Sequence, residues 1–223
     1  MFKNSLDITL YLIRHGEPDY ANDVHEVFIG RRPHSTLTEK GKKQCQRLGV
    51  YLANKNIKFD TIYTSTLIRS IQSAKTTIDT IQTLDSRLCP NEYIDVPALE
   101  GISQGDWEGK SKKELYTLEL ENFIKYRGDF FVPPGGESKR MVERRASNWL
   151  EDEVLYNEKF QYQPRVIAIF SHAVVIKSLF RFIFQYNTNN VDDLELEYTG
   201  VSIFKQNYKG WTLVKWNDTS YLG

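Results

Sequence analysis

Three segments of this sequence deliver a base or a cation directly after a β-favouring run. Arg14-His15-Gly16 follows Ile8 to Ile13, Ser171-His172-Ala173 follows Val166 to Phe170, and Arg69 comes shortly after Thr61 to Thr64. Two imidazoles and two guanidiniums at comparable strand exits suit phosphoryl transfer, in which the protein's main tasks are positioning and neutralising charge on the non-bridging oxygens. Arginine grips phosphate oxygens with a planar fork and stays charged at any working pH. A neutral imidazole can attack phosphorus and leave again, which splits one difficult displacement into two easier ones. Any one of these segments alone is weak, because a histidine or arginine after a strand is commonly a core or solvated residue. Their coincidence is what points to a site.

The elements that must position them read as follows. Ile8 to Ile13 and Val166 to Phe170 are uninterrupted enough to be buried strands of a parallel sheet. Thr38 is the expected N-cap of a helix through about Ala53, and Leu67, Ile71, Ala74 and Ile78 mark a second amphipathic helix to Ile81. A strand is expected near Tyr93 to Val96, a long helix from Ser138 to about Tyr156, and a helix from Val174 to Phe184. Ser202 to Gln206 and Trp211 to Trp216, joined through Lys209-Gly210, read as a hairpin. Strands alternating with helices predict a three-layer α/β/α fold with a mostly parallel central sheet, its function gathered beyond the carboxyl ends of the strands. The 223 residues are read as one domain, residues 1–223, with an inserted loop and helix layer at about 101–136 that contains a helical patch near Lys112 to Lys125.

Lys plus Arg equals Asp plus Glu at 29 each, so no global field draws the chain to nucleic acid or an anionic membrane, and neither partner is expected. The two cysteines, Cys45 and Cys89, do not suggest a disulfide framework. The apolar stretch at Ile8 to Ile13 is too short for a signal-peptide core or a membrane span, so the expected address is cytoplasmic. Four histidines without HxH or HxxxH spacing offer no metal site of the usual kind, and no cofactor is expected.

Five ordered segments then go together: Leu12 to Glu17 (LIRHGE), Leu37 to Gln44 (LTEKGKKQ), Tyr63 to Ser70 (YTSTLIRS) continuing to Ala74, Gly105 to Gly109 (GDWEG), and Pro134 to Ser138 (PGGES), with Phe170-Ser171-His172 closing the set. Jointly they resemble the histidine phosphatase superfamily, also called the phosphoglycerate mutase-like family, over nearly the whole chain. The resemblance implies that His15 becomes phosphorylated, that Arg14, Arg69 and His172 hold the phosphoryl group, and that a carboxylic acid protonates the leaving oxygen. The substrate it implies is a small-molecule phosphomonoester, and a homodimer is compatible with it.

Two departures bear on that assignment. The family's acid usually lies four residues before the glycine matching Gly105, where this chain has Gly101; Glu100, one residue earlier, is the expected general acid through a one-residue bulge, with Asp106, Glu108 and Glu137 as alternatives. The histidine segment ends in Ala173 where relatives often have glycine. The phosphatase branch is the better match, since mutases carry asparagine where this chain has Ala21, with Asn22 beside it, and an arginine and a tyrosine where it has Gly101 and Ser103. Arg31, Arg32, Lys110, Lys112 and Lys113 are the cations that could reach a second anionic group. Metal-independent phosphomonoester hydrolysis is therefore the expected function, ahead of mutase transfer and of a catalytically silent domain that binds phosphorylated partners.

Overall fold

A computed structural model describes residues 7–20, 23, 26–158, 163–185 and 193–223. Six strands form one mixed sheet in the order β3-β2-β4-β1-β5-β6, from β1 (Ile8–Arg14), β2 (Thr61–Thr64), β3 (Ile94–Asp95), β4 (Arg165–Ser171), β5 (Val201–Asn207) and β6 (Gly210–Asp218). β1, β2, β3 and β4 run parallel, while β5 pairs antiparallel with both β1 and β6. The expected sheet and closing hairpin are present.

β1 alternates its side chains between two cores, as the two-residue period of a strand requires. Ile8, Leu10 and Leu12 pack with α5 (Lys139–Leu150) and α6 (Ala173–Phe184). Tyr11 and Ile13 face the other way, towards Leu48 and Leu52 of α1 (Glu39–Asn54) and Ala74, Ile78 and Ile81 of α2 (Ile68–Asp85). Helices therefore cover both faces of the sheet, which is why its central strands are apolar on consecutive positions.

Local chemistry sets the helix starts. Thr38 Oγ1 accepts the Gly41 N–H at 3.0 Å, and Ser138 Oγ accepts that of Met141 at 3.1 Å. Three expectations need adjusting. The helical patch near Lys112 is two helices, α3 (Lys112–Leu115) and α4 (Leu118–Arg127), because Thr117 caps the second by accepting the Leu120 N–H at 3.2 Å. The helix after Ser138 is regular only to Leu150 and continues as a wider π-helical turn, Glu151–Leu155. β3 is just two exposed residues at the sheet edge, since only Ile94 and Asp95 find partners on β2.

Candidate active site

The parallel register of β1 and β4 pairs Arg14 with Ser171, so the next residue of each strand is a histidine and the two leave the sheet side by side. The His15 N–H bonds the Ser171 carbonyl at 2.9 Å, and the two ring centroids are 5.0 Å apart. β2 is aligned one strand further along, with Thr64 opposite Phe170, and Ser65 just beyond it lies with its Oγ 2.8 Å from His172 Nε2. The helix that follows, α2, carries Arg69 in its first turn. Three strand exits thus bring His15, His172, Arg14 and Arg69 into one electrostatic neighbourhood.

His15 is 3% exposed, and its Nδ1 lies 2.8 Å from the Gly16 carbonyl oxygen. A carbonyl can only accept, so the neutral ring carries its proton on Nδ1 and leaves the lone pair on Nε2. Burial, followed by the charges of Arg69 and Arg14, holds the His15 imidazolium well below the usual histidine range. Burial does the same to His172, helped by His15, Arg69 and Arg14. Both rings are therefore neutral at neutral pH.

Arg69 is buried and Arg14 half-buried, with its Nε out of solvent contact. Arg69, 1% exposed, donates from Nη1 to the carbonyls of Arg31 at 2.7 Å and Arg32 at 3.2 Å, and lies 5.3 Å from the centre of the Tyr20 ring. Arg14 donates from Nη1 to the Leu196 carbonyl and stacks 3.9 Å from the centre of the Tyr198 ring. Neither forms an ion pair among the described residues, and the Nε of each is buried without a hydrogen-bond partner. Two desolvated cations with free donors beside two neutral imidazoles make a cradle for an anion.

The turn after His15 is clamped by the start of α1 and by α2. The Gly16 N–H donates to Ser73 Oγ at 2.9 Å, and Glu17 receives Thr38 Oγ1 at 3.0 Å and Lys40 Nζ at 2.6 Å. A Cβ on Gly41 would meet the Glu17 carbonyl oxygen at 2.2 Å, and one on Gly16 would meet the Gly41 oxygen at 2.7 Å. The second sequence segment therefore serves the first by close backbone approach.

The four candidate carboxylates separate cleanly. Glu100 follows the short turn Pro97–Leu99; its Oε1 accepts the Thr66 hydroxyl and its Oε2 pairs with Arg31 Nη1 at 2.9 Å. Its next neighbour, Gly101, abuts the site, since a Cβ there would be 3.4 Å from His172 Cγ and 3.7 Å from Arg69 Nη2. Glu137 is bound by Arg145 Nε at 3.0 Å, the Ser103 N–H at 3.1 Å and Arg31 Nη2 at 3.2 Å. Burial pushes the Glu137 carboxyl up, but Arg145, the Ser103 amide and Arg31 outweigh it and hold it below the usual range. Glu108 accepts the N–H groups of Gln104 at 2.9 Å and Arg31 at 3.1 Å and so ties loops together. Asp106 is exposed in the turn Gly105–Trp107.

Of the cations expected near a second anion, Arg31 is committed to Glu100 and Glu137, Arg32 lies 3.5 Å from Asp23, and Lys112 Nζ is 6.0 Å from the Phe28 ring centre. Ala21 and Asn22 lie outside the described residues. Tyr20, Tyr198, Ser65, Thr66 and Arg145 were invisible as site residues in the sequence, because each acts through a tertiary contact that no local spacing encodes. Among the described residues no three His, Cys, Asp or Glu side chains gather where they could hold a metal ion, and no helix is long and apolar enough to cross a membrane.

Residues 10–219 match the family model of the histidine phosphatase superfamily, branch 1. The chain belongs to this superfamily. Its sequence is 27% identical over 200 residues to a 2,3-bisphosphoglycerate-dependent phosphoglycerate mutase of Bartonella henselae, covering 89% of this chain and 91% of the mutase. It is 28% identical over 172 residues to an adenosylcobalamin/alpha-ribazole phosphatase of Escherichia coli, covering 76% of each. Its fold matches that of YhfR of Bacillus stearothermophilus with a TM-score of 0.78 and 27% identity, over 97% of this chain and all of that one. Superfamily membership accounts for the paired strand-end histidines; the names of its relatives include both mutases and phosphatases.

Proposed function

We propose that this superfamily member is a metal-independent phosphatase that hydrolyses a small phosphomonoester through a phosphohistidine on His15. The supporting observation is the pair of guanidiniums, Arg14 half-buried and Arg69 buried, neither with an ion pair among the described residues and each with an unpaired Nε, next to an imidazole held neutral. In the first step His15 Nε2 attacks phosphorus as the bond to the leaving oxygen breaks, and the carboxyl group of Glu100 gives that oxygen a proton. In the second, water attacks the phosphohistidine, the P–N bond breaks, and the Glu100 carboxylate takes the proton from water. Arg14, Arg69 and His172 stabilise the charge on the transferring group in both steps. Thr66 and Arg31 orient Glu100.

Hydrolysis is favoured over mutase transfer by the state of the surrounding cations. A bisphosphorylated ligand needs a second cluster of positive charge, and Arg31 is instead engaged by the carboxyl groups of Glu100 and Glu137. Gly101 and Ser103 stand where mutases carry arginine and tyrosine, which removes a further cation from the rim. The test is phosphate release from a panel of aryl and alkyl phosphomonoesters with EDTA present, comparing the wild type with His15→Ala. Release that disappears in the variant supports the reading, and release that survives in it refutes the phosphohistidine. Binding of phosphate without any release from the wild type would instead favour a silent binding domain.

A further inference from the structure

A cavity of about 590 Å³ opens along the outer face of α1, outside the site just described. That size lies within the range of small-molecule sites, about 300–1,000 Å³. Its floor is a stacked aromatic pair, Tyr51 and Tyr221, with ring centres 5.0 Å apart and planes 23° from parallel, flanked by Val50. Its rim carries Lys43, Arg47 and Lys55 and no acidic side chain. None of the three forms an ion pair among the described residues; Arg47 is anchored by donating to the Leu222 carbonyl, and Lys55 Nζ lies 5.9 Å from the Tyr51 ring centre. In a chain of zero net charge, three unneutralised cations around an aromatic floor form a local concentration of positive potential.

The cavity is wired to the nucleophile. Tyr221 donates its hydroxyl to the Thr199 carbonyl at 2.6 Å, and the Thr199 N–H is shared between the carbonyls of Arg14 at 3.1 Å and His15 at 3.2 Å. Thr199 is fully buried with φ +61°, a left-handed conformation that a β-branched residue adopts only when its surroundings impose it. The preceding residue, Tyr198, is the ring stacked on Arg14.

We propose that this cavity is a regulatory site for a small planar anion of the nucleotide class, its ring on the Tyr51–Tyr221 pair and its phosphate on Lys43, Arg47 and Lys55. Occupancy reaches the catalytic loop through Tyr221 and Thr199. The binding claim is independent of the hydrolytic reading; the effect on turnover rests on it. Adenosine 3′,5′-cyclic monophosphate is a suitable probe, because it has a base and a negative charge but no phosphomonoester to hydrolyse. Calorimetric titration of the full chain at low salt should show saturable binding that weakens at least about tenfold in Lys43→Glu/Arg47→Glu, at two exposed positions. No binding, or binding that survives the reversal, overturns the site. Saturation with the probe should shift the His15 ring resonances in the wild type but not in Tyr221→Phe, which keeps the ring and loses the hydroxyl. Unmoved resonances in the wild type would overturn the link while leaving both the binding and the phosphatase reading to their own tests.

Discussion

Urea unfolding at pH 7.5 and pH 5.5 reads the neutrality of the paired imidazoles directly. An unfolded histidine titrates near 6.5, whereas burial together with the charges of Arg69 and Arg14 holds both His15 and His172 well below that value in the folded protein. Above 6.5 both states leave the rings unprotonated and the pair contributes no pH dependence. As pH falls through 6.5 the unfolded chain takes up two protons that the folded chain refuses, so the folded state loses stability on the acid side. Integrated from pH 7.5 to pH 5.5, the loss is about 1.4 kcal/mol per imidazole and about 2.7 kcal/mol for the pair. Against a whole stability of about 5–15 kcal/mol, that is a large fraction. The comparison is the double variant His15→Gln, His172→Gln, which keeps every other titrating group and so subtracts its contribution. Measured in phosphate-free buffer, so that no bound anion stabilises the fold, the wild type should lose about 2.7 kcal/mol more than the variant over this interval. Equal losses in the two proteins would mean that the folded rings take up protons as readily as the unfolded ones, which would refute the suppression of the imidazolium by burial and by Arg69 and Arg14.

Other perturbations follow from the same geometry. In single-turnover measurements Glu100→Gln should slow phosphoryl transfer from alkyl phosphates to His15 by about 10²–10⁴ while sparing transfer from p-nitrophenyl phosphate, whose leaving group needs no proton; equal losses in that first step on both would remove Glu100 as the acid. Arg69→Met should abolish the protection given by inorganic phosphate, which for the wild type at a hundred times its Kd is about 2.7 kcal/mol, or about 5–10 °C in Tm. Gly16→Ala forces a Cβ to 2.7 Å from the Gly41 oxygen and so displaces the carbonyl that orients His15; activity measured at 25 °C should fall even where the variant remains folded, and full activity would show the turn to be yielding.

Much of this was legible in the sequence because the site's main groups are delivered by regular elements. Ile8 to Ile13 and Val166 to Phe170 read as strands, and a histidine just past each end is then placed to within a residue by register alone. The motif Leu37 to Gln44 was legible as a helix start but not as a clamp on Glu17, since the contact of Gly41 with that carbonyl depends on how α1 docks. The layer after Gly101 was the least legible. Its order comes from buried charge, Glu137 with Arg145 and Glu108 with backbone amides, and from the aromatic contacts of Phe28 with Trp107 and Tyr116. Neither kind of contact leaves a periodic trace.

The distribution of acids explains why the cradle stays positive. A buried guanidinium left near a free carboxylate would bind it, and an anionic substrate would then compete with the protein's own side chain. Here three acids close to the site have other owners. Glu137 is held by Arg145, Arg31 and the Ser103 amide, Glu108 by the amides of Gln104 and Arg31, and Glu17 by Lys40 and Thr38. Glu100 is the residue before Gly101, which abuts His172 and Arg69, and its Oε2 meets Arg31 rather than Arg14 or Arg69. Arg31 is thus best understood as an insulator: its side chain occupies Glu100 and Glu137 while its carbonyl accepts Arg69 Nη1, so one residue both engages the acids and fixes the cation they would otherwise bind. The cost is two partly desolvated arginines that form no ion pair among the described residues, a cost that binding of an anion between them removes.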